Sequence, residues 1–189
     1  YCWQYRRRQL DAEAIRDSLL AVSGRLDARL YGRPINPHRH AEDPAKRLFS
    51  GPLDGNGRRS IYLKVSIMDP SKFLLSFNFP DPKLPTGRRD VTNVPAQALV
   101  LLNDPFVLSL AQQWADRLVD EDHPTPDARL HQMFVRALGR PPLKDELARW
   151  STLVRSWSTG KGDTLMTDQT AWKHVAHTLF NTKEFTHYR

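Results

Sequence analysis

Asp104-Pro-Phe-Val-Leu-Ser-Leu-Ala-Gln-Gln-Trp-Ala-Asp-Arg-Leu118 decides the fold class. Val107, Leu110, Ala111, Trp114 and Leu118 recur at helical spacing and form one apolar stripe. Asp104 is a capping residue, and Pro105 stands at the first helical position, where its missing N–H costs nothing. The device recurs downstream. Thr125-Pro126 precedes a stripe of Leu130, Met133, Phe134, Ala137 and Leu138, which stops at Gly139 and Pro141-Pro142. Leu147, Trp150, Val154 and Trp157 make another, broken by Gly160–Gly162. Asp168 then caps a last helix with Trp172, Val175, Ala176, Leu179 and Phe180 inward. Just upstream of the opening stretch, Asn93 caps a short helix running to Leu102. The expectation is a mainly α chain. Its C-terminal bundle holds about four or five helices, with short loops favouring antiparallel neighbours. Trp114, Phe134, Trp150, Trp157, Trp172 and Phe180 are the expected core.

Upstream of the bundle, Ile15, Leu19, Val22 and Leu26 place a helix near the N-terminus. Asp11 is its N-cap, Leu10 and Ile15 form a hydrophobic staple, and Ser23-Gly24 is its stop. Residues 31–95 hold nine of the 14 prolines, which rules out long helices there. Ile61, Leu63, Val65 and Ile67 alternate with more polar neighbours, the pattern of a short strand. The extended candidate to pair with it lies around Arg88–Thr92, and a short helix is the rival reading. The organisation read from the chain is one domain over 1–189. It has an N-terminal helix in 1–30, an irregular but ordered Arg/Pro-rich segment over 31–92 with at most one short β element, and the bundle over 93–189.

Composition narrows the function class. Hydrophobic content of 40% and charged content of 26% are those of a globular protein, and no apolar run is long enough to span a bilayer. Net charge is +7, with Arg far outnumbering Lys. Such a surplus is consistent with nucleic acid, anionic membrane or acidic glycan, but also with internal Arg–carboxylate pairing. Cys2 is the single cysteine, which excludes an internal disulfide, a CxxCH haem attachment and a cysteine-based zinc site. The chain opens at Tyr1 rather than Met, as expected of a piece or processed product of a longer protein.

Several motifs match one family. They are Arg8-Gln-Leu-Asp-Ala-Glu-Ala-Ile-Arg-Asp17 with Ser23-Gly24, Gly57-Arg-Arg-Ser-Ile-Tyr62, Phe77-Asn-Phe-Pro-Asp-Pro82 and Arg88-Arg89. Further matches are Thr92-Asn-Val-Pro-Ala-Gln-Ala-Leu-Val-Leu-Leu-Asn-Asp-Pro-Phe-Val107, Ala137-Leu-Gly-Arg-Pro-Pro142, and His177-Thr-Leu-Phe-Asn-Thr-Lys-Glu-Phe185 with Arg189. On these the chain resembles an uncharacterised C-terminal domain of large planctomycete proteins, which often carry an N-terminal cytochrome-c-like domain. The resemblance covers nearly the whole chain. It implies an exported protein, periplasmic or at the cell surface, and no known reaction. The family's haem motif lies in another domain, so no haem carries over.

The candidate site residues concentrate in the middle segment. Arg58, Arg59, Arg88 and Arg89 stand with Asp54, Asp81 and Asp90. The structural reading is a buried, charge-balanced Arg–Asp network. The functional reading is an anionic-ligand site with donors facing a cleft. Gly55-Asn-Gly57 lacks the ending of a phosphate loop and reads as a turn. Gln97 and Asn103 lie on an apolar helix, placed to cap neighbouring loop backbone. His177, Asn181 and Glu184 share a helical face as an interhelical hydrogen-bonding cluster rather than a metal site. His38-Arg-His40 is a solvated run. No catalytic group, metal site or cofactor emerges, and Arg6-Arg-Arg8 has no nucleic-acid motif beside it. The function expected is a non-catalytic interaction or scaffold module, contacting other domains of its parent chain or subunits of an assembly. The alternative is a domain of an enzyme acting on an anionic glycan, or an anion-binding module.

Overall fold

The computed structural model describes residues 7–158 and 162–188. Tyr1, Cys2, Arg6, Gly160 and Arg189 lie outside those residues. The described chain is mainly helical, with one two-stranded sheet. In order, the elements are β1 (Arg8–Gln9), α1 (Ala12–Ser23), α2 (Lys72–Ser76), α3 (Pro95–Asn103), α4 (Pro105–Asp120), α5 (Pro126–Leu138), α6 (Lys144–Trp157), α7 (Gln169–Phe180), α8 (Lys183–Thr186) and β2 (His187–Tyr188).

The helix boundaries follow local chemistry. The Asp104 carboxylate accepts from the Phe106 N–H at 2.9 Å, Thr125 Oγ1 from Ala128 N at 3.1 Å, and Asp168 from Ala171 N at 3.1 Å. Gly24 and Gly139 end α1 and α5 in the left-handed conformation. Two starts differ from the sequence reading. α3 begins at Pro95 with Val94 as its cap rather than Asn93, because proline at the first helical position fixes the entry and holds its predecessor extended. Asp11 occupies the cap position of α1 but its carboxylate caps nothing; it lies 3.7 Å from Arg89 instead.

α4 and α7 form the centre, with α1 against α4 and with α5 and α6 packed together beside α7. Trp114 of α4 stacks on Phe180 of α7 at a centroid distance of 5.4 Å. Trp172 is fully buried and its indole N–H donates to the Leu165 carbonyl at 2.8 Å. Trp114, Phe134, Trp172 and Phe180 are core residues, each burial of this size contributing about 1.5–3 kcal/mol. Trp150 and Trp157 are only half-buried. α6 buries Val154 alone and lies on the edge of the bundle, so its tryptophans cover the rim.

β1 and β2 pair antiparallel, Arg8 with Tyr188 and Gln9 with His187, and so join the two ends of the described chain. The alternating run at Ile61–Ile67 is not a strand. Ser60–Tyr62 is a single 3-10 turn, and Ile35 donates to Tyr62 O and accepts from Lys64 N, each at 2.8 Å, in one isolated parallel bridge to Leu63. The partner is therefore Ile35, not the chain around Arg88–Thr92. The next bond of this ladder would come from the N–H of residue 37, and Pro37 has none. Ile61, Val65 and Ile67 are left exposed.

Gly57 shows how tightly the middle segment is drawn against α1's exit. Its carbonyl accepts from Asp27 N at 2.8 Å, its φ is +71°, and a Cβ there would stand 1.9 Å from the Arg25 carbonyl oxygen. Backbone cannot swing aside as a side-chain tip does. Gly57→Ala is therefore expected to destabilise the protein by about 3 kcal/mol, which lowers Tm by roughly 6–12 °C in calorimetry. An unchanged Tm would refute this account of the crossing.

Candidate functional site

The arginine-bearing segment is built onto one helix. Ala12, Arg16, Leu19 and Ser23 fall on a single buried face of α1, so Arg16 is an arginine inside an apolar stripe. Its guanidinium reaches the loop and donates from Nη1 to Arg58 O at 2.9 Å and Ser60 Oγ at 3.3 Å, and from Nη2 to Asp54 O at 2.8 Å. Burial pushes this guanidinium below its ordinary range, opposed by the nearby Asp17 and Asp54 charges. One turn of α1 supplies the complement: Asp17 Oδ1 accepts from both the N–H and the Oγ of Ser60 at 2.7 Å.

The four arginines singled out in the sequence have four different fates. Arg58 is buried. It donates to Arg29 O at 2.7 Å and to Tyr31 O, lies 3.7 Å from Asp27, and its guanidinium sits 4.0 Å from the centre of the Tyr62 ring. Arg59 is exposed, with Nε 3.7 Å from Asp17. Arg89 grips Glu13 bidentately at 2.7 and 2.8 Å, and this pairing holds the Glu13 carboxyl below its usual range. Arg88 is exposed. Arg59 and Arg89 thus meet acids of α1, while Arg58 holds carbonyls of the loop that follows α1.

The partner acids are dispersed as well. Asp54 takes Arg25 at 2.8 Å and accepts from Asn56 N at 2.9 Å, Asp81 closes a turn by accepting from Lys83 N at 2.9 Å, and Asp90 is exposed. Gln97 is buried between Thr92 O and the Gln9 side chain, each at 3.1 Å. Asn103 bonds back to Leu99 O of its own helix. The His177 ring nitrogen lies 3.1 Å from Leu101 O, and Asn181 Nδ2 lies 3.5 Å from the same carbonyl, joining α7 to α3. Glu184 does not share their helix. Thr182 accepts from Phe185 N at 3.3 Å and caps α8 as a separate element, from which Glu184 meets Arg140 at 2.6 Å. No group of three metal-ligating side chains is found among the described residues.

Arg140 is the second hub. It bonds Glu146 at 2.7 and 2.9 Å and Glu184 at 2.6 and 2.7 Å, clamping the exit of α5 to α6 and α8. Its own pKa is raised by these acids, and Glu146 is pulled down to about 2, chiefly by Arg140 and then by the Leu143 N–H.

A cavity of about 280 Å³ opens where the middle segment meets α1, α2 and the start of α4, with Arg16, Arg39, Leu53, Leu63, Phe73 and Phe106 in its walls. His38-Arg-His40 reads differently here. The two imidazoles are exposed with their rings 5.7 Å apart, while Arg39 between them is buried against Asp69. Sequence reasoning missed Arg16 and Arg39. Arg16 carried a signal, its place in the Ala12–Leu19–Ser23 stripe; Arg39, in irregular chain, carried none.

A family described as a protein of unknown function (DUF1553) matches residues 1–154. The chain belongs to the DUF1553 family. Searches of curated proteins and of solved structures return no match. Within this DUF1553 chain the matched span contains the Arg16–Arg58 network and every wall of the cavity, while α7 and its Trp172 and Phe180 lie beyond it.

Two outcomes test the network. Replacing Arg16 by Met takes the donor from the Arg58 carbonyl, leaves Asp54 O only the long bond from Gly57 N at 3.3 Å, and is expected to cost about 3 kcal/mol in urea denaturation. Little change would mean that water or other groups satisfy them. The Arg140 clamp should appear in the pH profile. Glu146 has a folded pKa of about 2 against an ordinary 4.5, so its contribution is complete above about pH 4.5 and is lost as pH falls toward 2. Arg140→Gln should flatten that acid limb of the stability curve, and an unaltered limb would remove the clamp from the account.

Proposed function

We propose that this chain is a non-catalytic interaction or scaffold module, one domain of a larger exported protein of planctomycete type that works in the periplasm or at the cell surface. Its partners are other domains of the parent chain or protein subunits of the same assembly.

One observation carries this reading: the ionisable side chains are used to join segments. Arg16 and Arg58 hold loop carbonyls, Arg89 joins the segment after α2 to α1, and Arg140 joins α5, α6 and α8. The carboxyls Glu13, Asp27, Asp43, Glu121 and Glu146 are all shifted downward, which keeps them charged and fixed at neutral pH. A general acid would need the opposite shift. Such a framework presents a rigid surface, and on α3 that surface includes the exposed apolar side chains Leu99 and Leu102. The resemblance of its motifs to the C-terminal domains of planctomycete proteins supports the exported, multidomain setting.

The test is association between this chain and the separately produced remainder of its parent polypeptide, by calorimetry and light scattering. A complex of about micromolar affinity is expected, weakened about tenfold or more by Leu99→Asp with Leu102→Asp. Absence of association with parent domains, or turnover of a uronic-acid glycan by the chain alone, would overturn the reading.

A further inference from the structure

The cavity beside Arg16 has walls of two kinds. Leu53, Leu63, Phe73 and Phe106 make an apolar part, and the rings of Phe73 and Phe106 meet edge to face at 5.3 Å. The polar part holds the cations Arg16, Arg39 and Lys72 against the carboxylates Asp69 and Asp104. Both carboxylates are already engaged. Asp69 pairs with Arg39, and Asp104 caps α4 through the Phe106 N–H at 2.9 Å. Arg16 gives its hydrogen bonds to two carbonyls and a hydroxyl, and its closest carboxylate is Asp17 at 3.6 Å, which does not line the cavity. Among the lining residues cations therefore outnumber carboxylates by one before either histidine is protonated; Asp17 meets Arg16 from behind the wall, and no ion pair engages Lys72 among the described residues.

Arg39 sharpens the point. Its side chain is only 6% exposed, yet the chain between Pro37 and Ala41 is irregular and no helix demands an arginine there. Nη1 binds Asp69, by both its carboxylate and its backbone carbonyl, but Nε is buried without a hydrogen-bond partner. An unpaired buried guanidinium N–H is unfavourable, and this one is closed off by protein, so a ligand in the cavity meets Arg39 at the outer end of its guanidinium. Guanidinium also matches the two oxygens of a carboxylate. The volume of about 280 Å³ suits a single ring with its substituent rather than an extended chain.

We propose that this cavity binds a small monocarboxylate with a compact ring body, the carboxylate on the Arg39 and Lys72 side and the ring against Phe73 and Phe106. One negative charge balances the lining, whereas a dianion such as phosphate overfills it. The inference goes beyond the module reading and stands or falls apart from it, since a scaffold with no partner can still bind a small acid.

Two natural sources share this chemistry, an aromatic acid and a sugar acid. The experiment is isothermal calorimetry on the whole chain at neutral pH with benzoate, with glucuronate, and with benzamide as the uncharged control. Benzoate or glucuronate is expected to bind at about millimolar Kd or better, the one that binds naming the source, with benzamide at least tenfold weaker. Arg39→Gln should weaken binding about tenfold or more. Because that change also removes the buried bond to Asp69, Ala41→Trp serves as the second variant. Ala41 is an exposed lining residue, and an indole there should occlude the cavity and abolish binding with an unchanged circular dichroism spectrum. The proposal is overturned if neither carboxylate binds, if benzamide binds as well as they do, or if Ala41→Trp binds like the parent.

Discussion

The guanidinium of Arg16 is the constraint on which the middle of this protein depends. A charge placed on the inner face of a helix must be met by acceptors from elsewhere, because leaving it unpaired in the interior costs several kcal/mol, a large share of a domain's stability. The acceptors are the carbonyls of Asp54 and Arg58 and the hydroxyl of Ser60, all from one stretch of irregular chain. That stretch has only two 3-10 turns, Gly55–Gly57 and Ser60–Tyr62, to satisfy its own backbone. Arg16 therefore does for the loop what a neighbouring strand would otherwise do, and in the same contact the loop neutralises the cost of Arg16.

The consequences spread along the segment. With Ser60 held by Asp17, Arg58 lies where it collects the carbonyls of Arg29 and Tyr31, so a second buried arginine fixes a second turn. Gly57 must pass close to the Arg25 carbonyl for this to happen, and only a residue without a side chain accepts that approach in the left-handed conformation. The cavity is a by-product of the same arrangement. A loop anchored by charge on one side and by Phe73 and Phe106 on the other does not close completely over Arg16 and Arg39.

Legibility in the sequence followed the range of the interaction. Asp104, Thr125 and Asp168 are legible as caps because a cap and the N–H that donates to it lie within three residues. The mainly α class followed from stripes of similarly local period. Reading failed where the outcome depended on a distant neighbour. The run at Ile61–Ile67 alternates as a strand would, but among the described residues its bridge partner is Ile35 alone, and Pro37 ends the pairing there. Trp150 and Trp157 look like core by type, yet α6 packs at the edge of the bundle. Spacing puts Glu184 on the face of His177 and Asn181 only along an unbroken helix, and the Thr182 cap breaks it. The paired arginines were visible as unusual, but pairing in sequence did not mean pairing in space, and the buried arginines that organise the site are Arg16 and Arg39 as well as Arg58.

By itself the sequence determined the longer helices, most of their ends, the apolar residues available for a core and the incapacity of residues 31–95 for long regular structure. Those properties arise from steric and hydrogen-bonding preferences over a few bonds. The tertiary structure alone decided which arginine faces a carbonyl, which faces a carboxylate and which faces water. It also decided that a cavity lined by three cations and two carboxylates opens between α1, α2 and α4. These depend on where chain segments tens of residues apart come to rest, and a guanidinium accepts any of those partners until packing removes all but one.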